Sequence, residues 1–92
     1  MNFLSETYPD GAYYIGQFIA GNRHGEGIYN FANGNIYYGQ FSNNFRHGYG
    51  KLSYADGFIE EGRYENNVYL GPDKETEKEL EKLRKRKEEK EK

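Results

Sequence analysis

The sequence repeats itself with a period of 23 residues, and this feature constrains the fold more than any other. The segment YIGQF at residues 14–18 returns as YYGQF at 37–41, and RHG at 23–25 returns at 46–48. A fixed period of this length indicates one small structural unit that is laid down several times, with neighbouring units sharing a core. The chain is therefore expected to be a repeat protein rather than an ordinary globule.

The repeat continues, less completely, beyond its two full copies. Gly62 and Tyr64 keep the glycine and aromatic positions of a third copy, whereas Glu60 stands where tyrosine is expected. Upstream, YPDG at residues 8–11 matches FANG at 31–34 and YADG at 54–57. We therefore predict a repeat domain over residues 1–71, with two full repeats and partial ones on either side.

Turn signals divide each repeat into strands. Asp10-Gly11, Asn33-Gly34 and Asp56-Gly57 predict tight hairpins of type I′, whose two central residues both have positive φ. Wider turns are predicted at 20–25, 43–48 and 66–71, where Asn and Gly recur. The predicted fold is mainly β, an elongated single-layer antiparallel sheet of consecutive hairpins, with strands near 3–8, 12–19, 26–32, 35–42, 49–55 and 58–65.

Alternation along the strands assigns one face to rings and glycines, because residues two apart share a side. A glycine beside each ring leaves room for a ring of the neighbouring strand to cross bare backbone. The histidines are expected to hold loop backbone. These residues are predicted to build the repeat: Tyr14, Gly16, Phe18, His24, Gly25, Gly27, Tyr37, Gly39, Phe41, His47, Gly48, Gly50, Gly62 and Tyr64.

The second face carries more apolar side chains than a solvated sheet needs, which favours a contact surface for a partner helix or peptide. The alternative is that Tyr and Ile stand there only because strands favour them. The residues at issue, and our candidate protein-binding residues, are Tyr13, Ile15, Ile28, Ile36, Tyr38 and Tyr49.

Composition and charge disfavour several other functions. The chain has no cysteine, and His24 and His47 have no carboxylate cluster nearby in sequence to complete a metal site. No serine has a base and an acid at a defined spacing, so we predict a non-enzyme without cofactor or small-molecule substrate. Residues 1–72 hold four basic and seven acidic residues, a net charge of −3 that disfavours nucleic acid.

Residues 72–92 form a second segment, in which almost every residue is charged. Acidic residues come early and basic ones later, which suits the dipole of an α-helix. From residue 73 onward, Leu80 and Leu83 are the only apolar side chains, and we predict that they dock this helix on the sheet or on a neighbour. The basic cluster at 82–87 is either solvated charge, an import signal or a contact for acidic surfaces.

The two full copies, YIGQFIAGNRHGEGIYNFANG and YYGQFSNNFRHGYGKLSYADG, resemble consecutive MORN repeats. That pattern reads Tyr-x-Gly-x-aromatic, then glycine or a substitute, His-Gly-x-Gly and a closing Asp-Gly. Asn44 departs from the mid-repeat glycine, and Asn33 departs from the closing aspartate.

The resemblance implies a non-enzymatic scaffold that binds other protein subunits, because MORN-repeat proteins recur in ciliary and other microtubule-based assemblies, notably radial spokes. It also implies an alternative, an adaptor for phosphoinositide or other anionic membrane lipid, with Arg23, Arg46 and the cluster at 82–87 as candidate contacts. Of the two, the acidic sheet favours the protein scaffold. The expected location is cytoplasmic, on the cytoskeleton of the ciliary axoneme.

Overall fold

Residues 3–71 form one open antiparallel sheet, which confirms the predicted mainly β fold of the repeat region. The computed structural model describes residues 3–72 together with Lys78 and Lys82. The strands are β1 (Phe3–Thr7), β2 (Tyr13–Ile19), β3 (Asn22–Asn30), β4 (Ile36–Ser42), β5 (Phe45–Ser53), β6 (Ile59–Glu65) and β7 (Val68–Gly71). Each strand pairs with the next in chain order. The charged helix predicted over residues 72–92, with Leu80 and Leu83, lies outside the described residues apart from Pro72, Lys78 and Lys82.

The predicted wider turns are wrong, because each closes within two residues. Ala20-Gly21, Asn43-Asn44 and Asn66-Asn67 all have positive φ, between 48° and 82°. Two left-handed residues match the right-handed twist of the flanking strands, and asparagine tolerates that conformation better than most residues. Strands β3 and β5 therefore begin earlier than predicted, and β7 forms where a turn was expected, so the described sheet has seven strands instead of six.

The Asp-Gly and Asn-Gly turns are not the predicted type I′ hairpins. Only the glycine has positive φ, 95° at Gly11. Gly11 N donates to Tyr8 O at 3.0 Å, and Asp10 Oδ1 accepts from Ala12 N at 2.9 Å. The side-chain oxygen thus holds a three-residue loop, the length that combines a type I turn with a left-handed glycine. The loops at Asn33 and Asp56 repeat the arrangement.

A bulge interrupts each repeat at the glutamine of the pentapeptide. Gly16 pairs with Gly27, but Phe18 pairs with Arg23, so three residues of β3 face Gln17 alone. Gln17 Oε1 fills the gap and accepts from Glu26 N at 2.8 Å. Because two extra residues are inserted, the alternation of faces is preserved and Arg23 lies on the same face as Phe18. Gln40 occupies the equivalent bulge between β4 and β5.

The core lies on one face of the sheet. Tyr14 and Tyr37 are 0 % exposed and Tyr64 is 2 % exposed. Edge-to-face contacts link Tyr14 to Phe41, Phe41 to Tyr37 and Tyr37 to Tyr64, with ring centroids 5.1–5.2 Å apart. We call this side the aromatic face; it carries Tyr8, Tyr14, Phe18, Tyr29, Phe31, Tyr37, Phe41, Leu52, Tyr54, Tyr64 and Tyr69.

Glycines make this packing possible. A Cβ added to Gly27 would lie 2.5 Å from Cζ of Tyr14, and one added to Gly50 would lie 2.5 Å from Cζ of Tyr37. Each ring therefore rests directly on the backbone of the following strand. We call the opposite side the open face; it carries Tyr13, Ile15, Ile28, Ile36, Tyr38 and Tyr49.

Candidate binding surfaces

The hydroxyl groups of the buried tyrosines serve the fold. Tyr14 donates to Gln17 O at 2.9 Å, and Tyr37 donates to Gln40 O at 2.8 Å. Burial raises the pKa of Tyr14 to about 12, and it also raises the pKa of Tyr37. Both side chains therefore stay neutral at ordinary pH. Each hydroxyl caps a carbonyl at the bulge, so these residues are structural donors rather than reactive groups.

Two arginines lie on the aromatic face, where sequence reasoning did not place them. The guanidinium carbon of Arg23 lies 5.1–5.9 Å from the ring centroids of Tyr8, Tyr14, Tyr29 and Phe41. Arg46 has the same relation to Phe31, Tyr37 and Tyr64, at 5.6–5.8 Å. Such cation–π contacts stabilise an arginine over rings. The sequence signal for this role is the recurrence of Arg at the same repeat position, which lies in the predicted wider turns at 20–25 and 43–48.

Both guanidinium groups bond to uncharged acceptors. Arg23 Nη1 donates to the hydroxyl of Tyr8 at 2.7 Å, and Arg23 Nη2 donates to Asn44 O at 3.0 Å. Arg46 Nη2 donates to Asn67 O at 3.1 Å, and its Nε to Asn67 Oδ1 at 3.3 Å. The Nε of Arg23 is buried without an acceptor among the described residues. Both arginines, which the lipid alternative names as candidate contacts, are therefore held by protein atoms.

Asparagine turns anchor each repeat to the one before it. Asn44 N donates to Arg23 O at 3.0 Å, and Asn44 Oδ1 accepts from Arg23 N at 2.9 Å. Asn67 makes the same pair of bonds with Arg46, at 3.0 and 2.9 Å. The departure from glycine at Asn44 thus has a structural reason, because the amide side chain supplies an acceptor that glycine lacks.

The arginines and the asparagine turns together enclose a cleft on the aromatic face. Its volume is about 150 Å³. Two guanidinium groups, three rings and two amide side chains line it: Arg23, Tyr29, Phe31, Phe41, Asn44, Arg46 and Asn67. We call it the arginine cleft.

The open face carries a continuous apolar row. Ile15 lies opposite Ile28, and Ile28 lies opposite Tyr38, so the row crosses three neighbouring strands. Tyr38 is 63 % exposed and Ile15 is 43 % exposed, whereas Ile28 is half-buried between them. Phe3 of β1, which sequence reasoning did not single out, adjoins the row in a shallow cleft of about 160 Å³.

The other candidate residues of the open face surround this row. Tyr13 and Ile36 both lie opposite Asn30, and Tyr49 lies opposite Arg63. Tyr13, Ile36 and Tyr49 are 42–50 % exposed. All six candidate residues thus share one face, and their role in binding stays a prediction.

The histidines lie near the bulges. His47 Nδ1 accepts from Asn66 N at 3.4 Å, a contact to loop backbone. Among residues 3–72, Lys78 and Lys82, no three potential metal ligands come together. In that same part of the chain, no helix is long and apolar enough to cross a membrane.

A single sheet in which one hairpin unit recurs every 23 residues defines the class of repeat proteins, whose units bury a core only against their neighbours. The family model of the MORN repeat matches residues 14–36 and 37–58. Residues 14–58 therefore form two consecutive MORN repeats, as their resemblance implied. The MORN repeat is a non-catalytic module of structural proteins and of proteins that bind other proteins or lipids. No curated protein matches the sequence.

Proposed function

We propose that this chain is a non-enzymatic scaffold that binds another protein subunit through its open face, within an assembly of the ciliary axoneme such as the radial spoke. The observation that carries the proposal of protein binding is the exposed row of Ile15, Ile28 and Tyr38 across three paired strands. The axonemal location rests on the use of MORN repeats in such assemblies.

The dimensions of the row suit an amphipathic helix. Three strands spaced roughly 4.8 Å apart span about 10 Å, which is close to the diameter of an α-helix with its side chains. Glu26, Lys51 and Arg63 also lie on the open face and provide charges of both signs around the row. A helix with an apolar stripe and mixed charges at its margins would therefore bury the row and form ion pairs with the charged residues around it.

The energetics favour the row over the rest of the open face. Contiguous apolar patches on a protein surface commonly mark binding sites, and tyrosine is enriched among the residues that dominate interface energies. Tyr38 is the aromatic residue of the row and is 63 % exposed, while Ile15 and Ile28 lie beside it. We expect Tyr38 and Ile15 to contribute most of the affinity.

The test uses the full chain, tagged in ciliated cells. The double variant Ile15→Ser, Tyr38→Ser should keep a β-sheet circular-dichroism spectrum but lose cross-linking to axonemal subunits. Leu70→Ser is the matched control, because Leu70 is 57 % exposed and lies on the edge strand β7, far from the row. The wild type and this control should be recovered in the axonemal fraction with the same cross-linked subunit.

Two results would count against the proposal. Retention of the cross-link by the folded double variant would remove the open face from the interaction, and a wild-type chain confined to the cytosol would remove the axonemal assignment. Flotation with vesicles is the third measurement, because binding that requires anionic lipid and ignores the double substitution would favour the lipid adaptor instead.

A further inference from the structure

The arginine cleft concentrates positive charge that the sheet itself does not neutralise. Arg23 and Arg46 line the same cleft, and the acceptors of their hydrogen bonds are a hydroxyl, two carbonyls and an amide oxygen. Two carboxylates share this face: Glu60 accepts from the hydroxyl of Tyr54, and Glu6 lies on the edge strand β1 opposite Tyr14. Two guanidinium charges thus share one recess without a bound anion from the described residues.

Both arginine side chains keep N–H donors beyond those used in the hydrogen bonds described above. A guanidinium group has five N–H donors, and the hydrogen bonds within the described residues use two on each side chain. The flanking rings and asparagine turns hold both groups in place. A fixed fork of donors loses little freedom when an anion binds, because its orientation is already set.

We propose that the arginine cleft binds a carboxylate, the Asp or Glu side chain of another protein, whose stem lies against Tyr29, Phe31 and Phe41. Guanidinium and carboxylate form short, parallel charge-assisted bonds, and the surrounding rings strengthen them by limiting access of water. A volume of about 150 Å³ holds a single side chain. The partner is thus an acidic segment that presents one carboxylate to the aromatic face.

The charge of the sheet favours this occupant over a membrane. Residues 1–72 carry a net charge of −3, so a surface dense in anionic headgroups is repelled by the sheet as a whole. A single carboxylate that enters the cleft meets the two arginines at close range, where salt screens their attraction least. The cleft and the apolar row lie on opposite faces, so this contact is separate from the function proposed above.

The test is a titration of the full chain, with nitrogen-15 label, by acetylated and amidated hexaglutamate peptide. We expect saturable shifts at the Nε–H signals of Arg23 and Arg46, and none with hexaglutamine. Arg46→Gln should weaken binding about tenfold or more, the effect expected from losing hydrogen bonds to a charged group. Lys51→Gln, the same change of charge on the open face, should leave the affinity within about twofold, since exposed charges contribute little.

A second variant keeps the test informative if Arg46→Gln fails to fold. Arg46→Lys keeps the charge but lacks the planar fork, so it should fold and still bind hexaglutamate severalfold more weakly than the wild type. Absence of shifts at both arginines, or equal weakening by Lys51→Gln, would overturn the proposal. So would stronger shifts of the same signals with inorganic phosphate or with phosphatidylserine vesicles, because the cleft would then be a phosphate site.

Discussion

Replacing Gly50 with alanine provides the sharpest test of how this sheet packs, because the sign of the change in stability shows whether Tyr37 rests on the Gly50 backbone. Gly50 lies within β5 and does not have positive φ. At such a position Gly→Ala ordinarily stabilises a protein by roughly 0.4–1 kcal/mol, since it restricts the unfolded chain. In this sheet, however, the new Cβ would lie 2.5 Å from Cζ of Tyr37, closer than real Cβ contacts come.

The cost of Gly50→Ala follows from what Tyr37 would lose. The ring is fully buried between Phe41 and Tyr64 and donates to Gln40 O at 2.8 Å. Overpacking costs about 1–3 kcal/mol, and a broken hydrogen bond adds about 0.5–1.5 kcal/mol. After the entropic gain is subtracted, we expect Gly50→Ala to lower the free energy of unfolding by about 0.5–4 kcal/mol.

Urea unfolding followed by circular dichroism measures this change, and the midpoint of thermal unfolding should fall by roughly 4–8 °C for each kcal/mol lost in a domain of this size. The control is Lys51→Ala at the neighbouring exposed position, which adds no atom near Tyr37 and should change stability by less than about 0.5 kcal/mol. A Gly50→Ala variant as stable as the wild type, or more stable, would refute the idea that rings rest on bare glycine backbone.

Three further predictions concern the other features of the repeat. Tyr37→Phe should cost about 1 kcal/mol because it removes the bond to Gln40 O, whereas Tyr38→Phe on the open face should cost almost nothing; equal effects in urea melts would contradict this. Asn67→Gly keeps the left-handed turn but removes the bond that Asn67 Oδ1 accepts from Arg46 N, and calorimetry should show a loss of about 1 kcal/mol. Because burial raises the pKa of Tyr14, Tyr37 and Tyr64 above the ordinary value of 10.0, the unfolded chain loses these protons first. Their contribution to the free energy of unfolding should therefore be fully present below pH 10 and should be lost as the pH rises above it. Titration of every tyrosine in one step near pH 10, with the fold intact, would argue against buried rings.

The sequence predicted the type of sheet correctly because two signals agreed. The 23-residue period indicated one repeated unit, and alternation of Tyr14, Gly16 and Phe18 indicated strands with a ring face. Both signals come from the residue pattern within each strand, so they hold even where the turn types are predicted wrongly. The bulge at Gln17 inserts two residues, so even this irregularity left the assignment of faces intact.

The turns and the arginines could not be predicted in the same way. Asp-Gly is a strong signal for a type I′ turn, but Asp10 Oδ1 stabilises a longer loop by accepting from Ala12 N. Asn43-Asn44 is a weaker signal, although it forms the left-handed pair. The Asn and Gly residues around Arg23 predict a wider turn over residues 20–25, which places Arg23 in a loop. Its place among rings depends on a register shift that only three-dimensional pairing reveals.

Consecutive pairing of the strands also determines how this chain can grow and unfold. Every strand from β1 to β7 pairs with its sequence neighbours, so within residues 3–71 no pairing joins distant segments and each step of assembly closes a short loop. Low contact order of this kind favours rapid folding that nucleates at any hairpin and propagates to the neighbouring strands on either side. Fraying should correspondingly begin at β1 and β7, and inserting or deleting one 23-residue unit between the existing repeats should change the length of the ribbon while leaving each remaining hairpin in its original register.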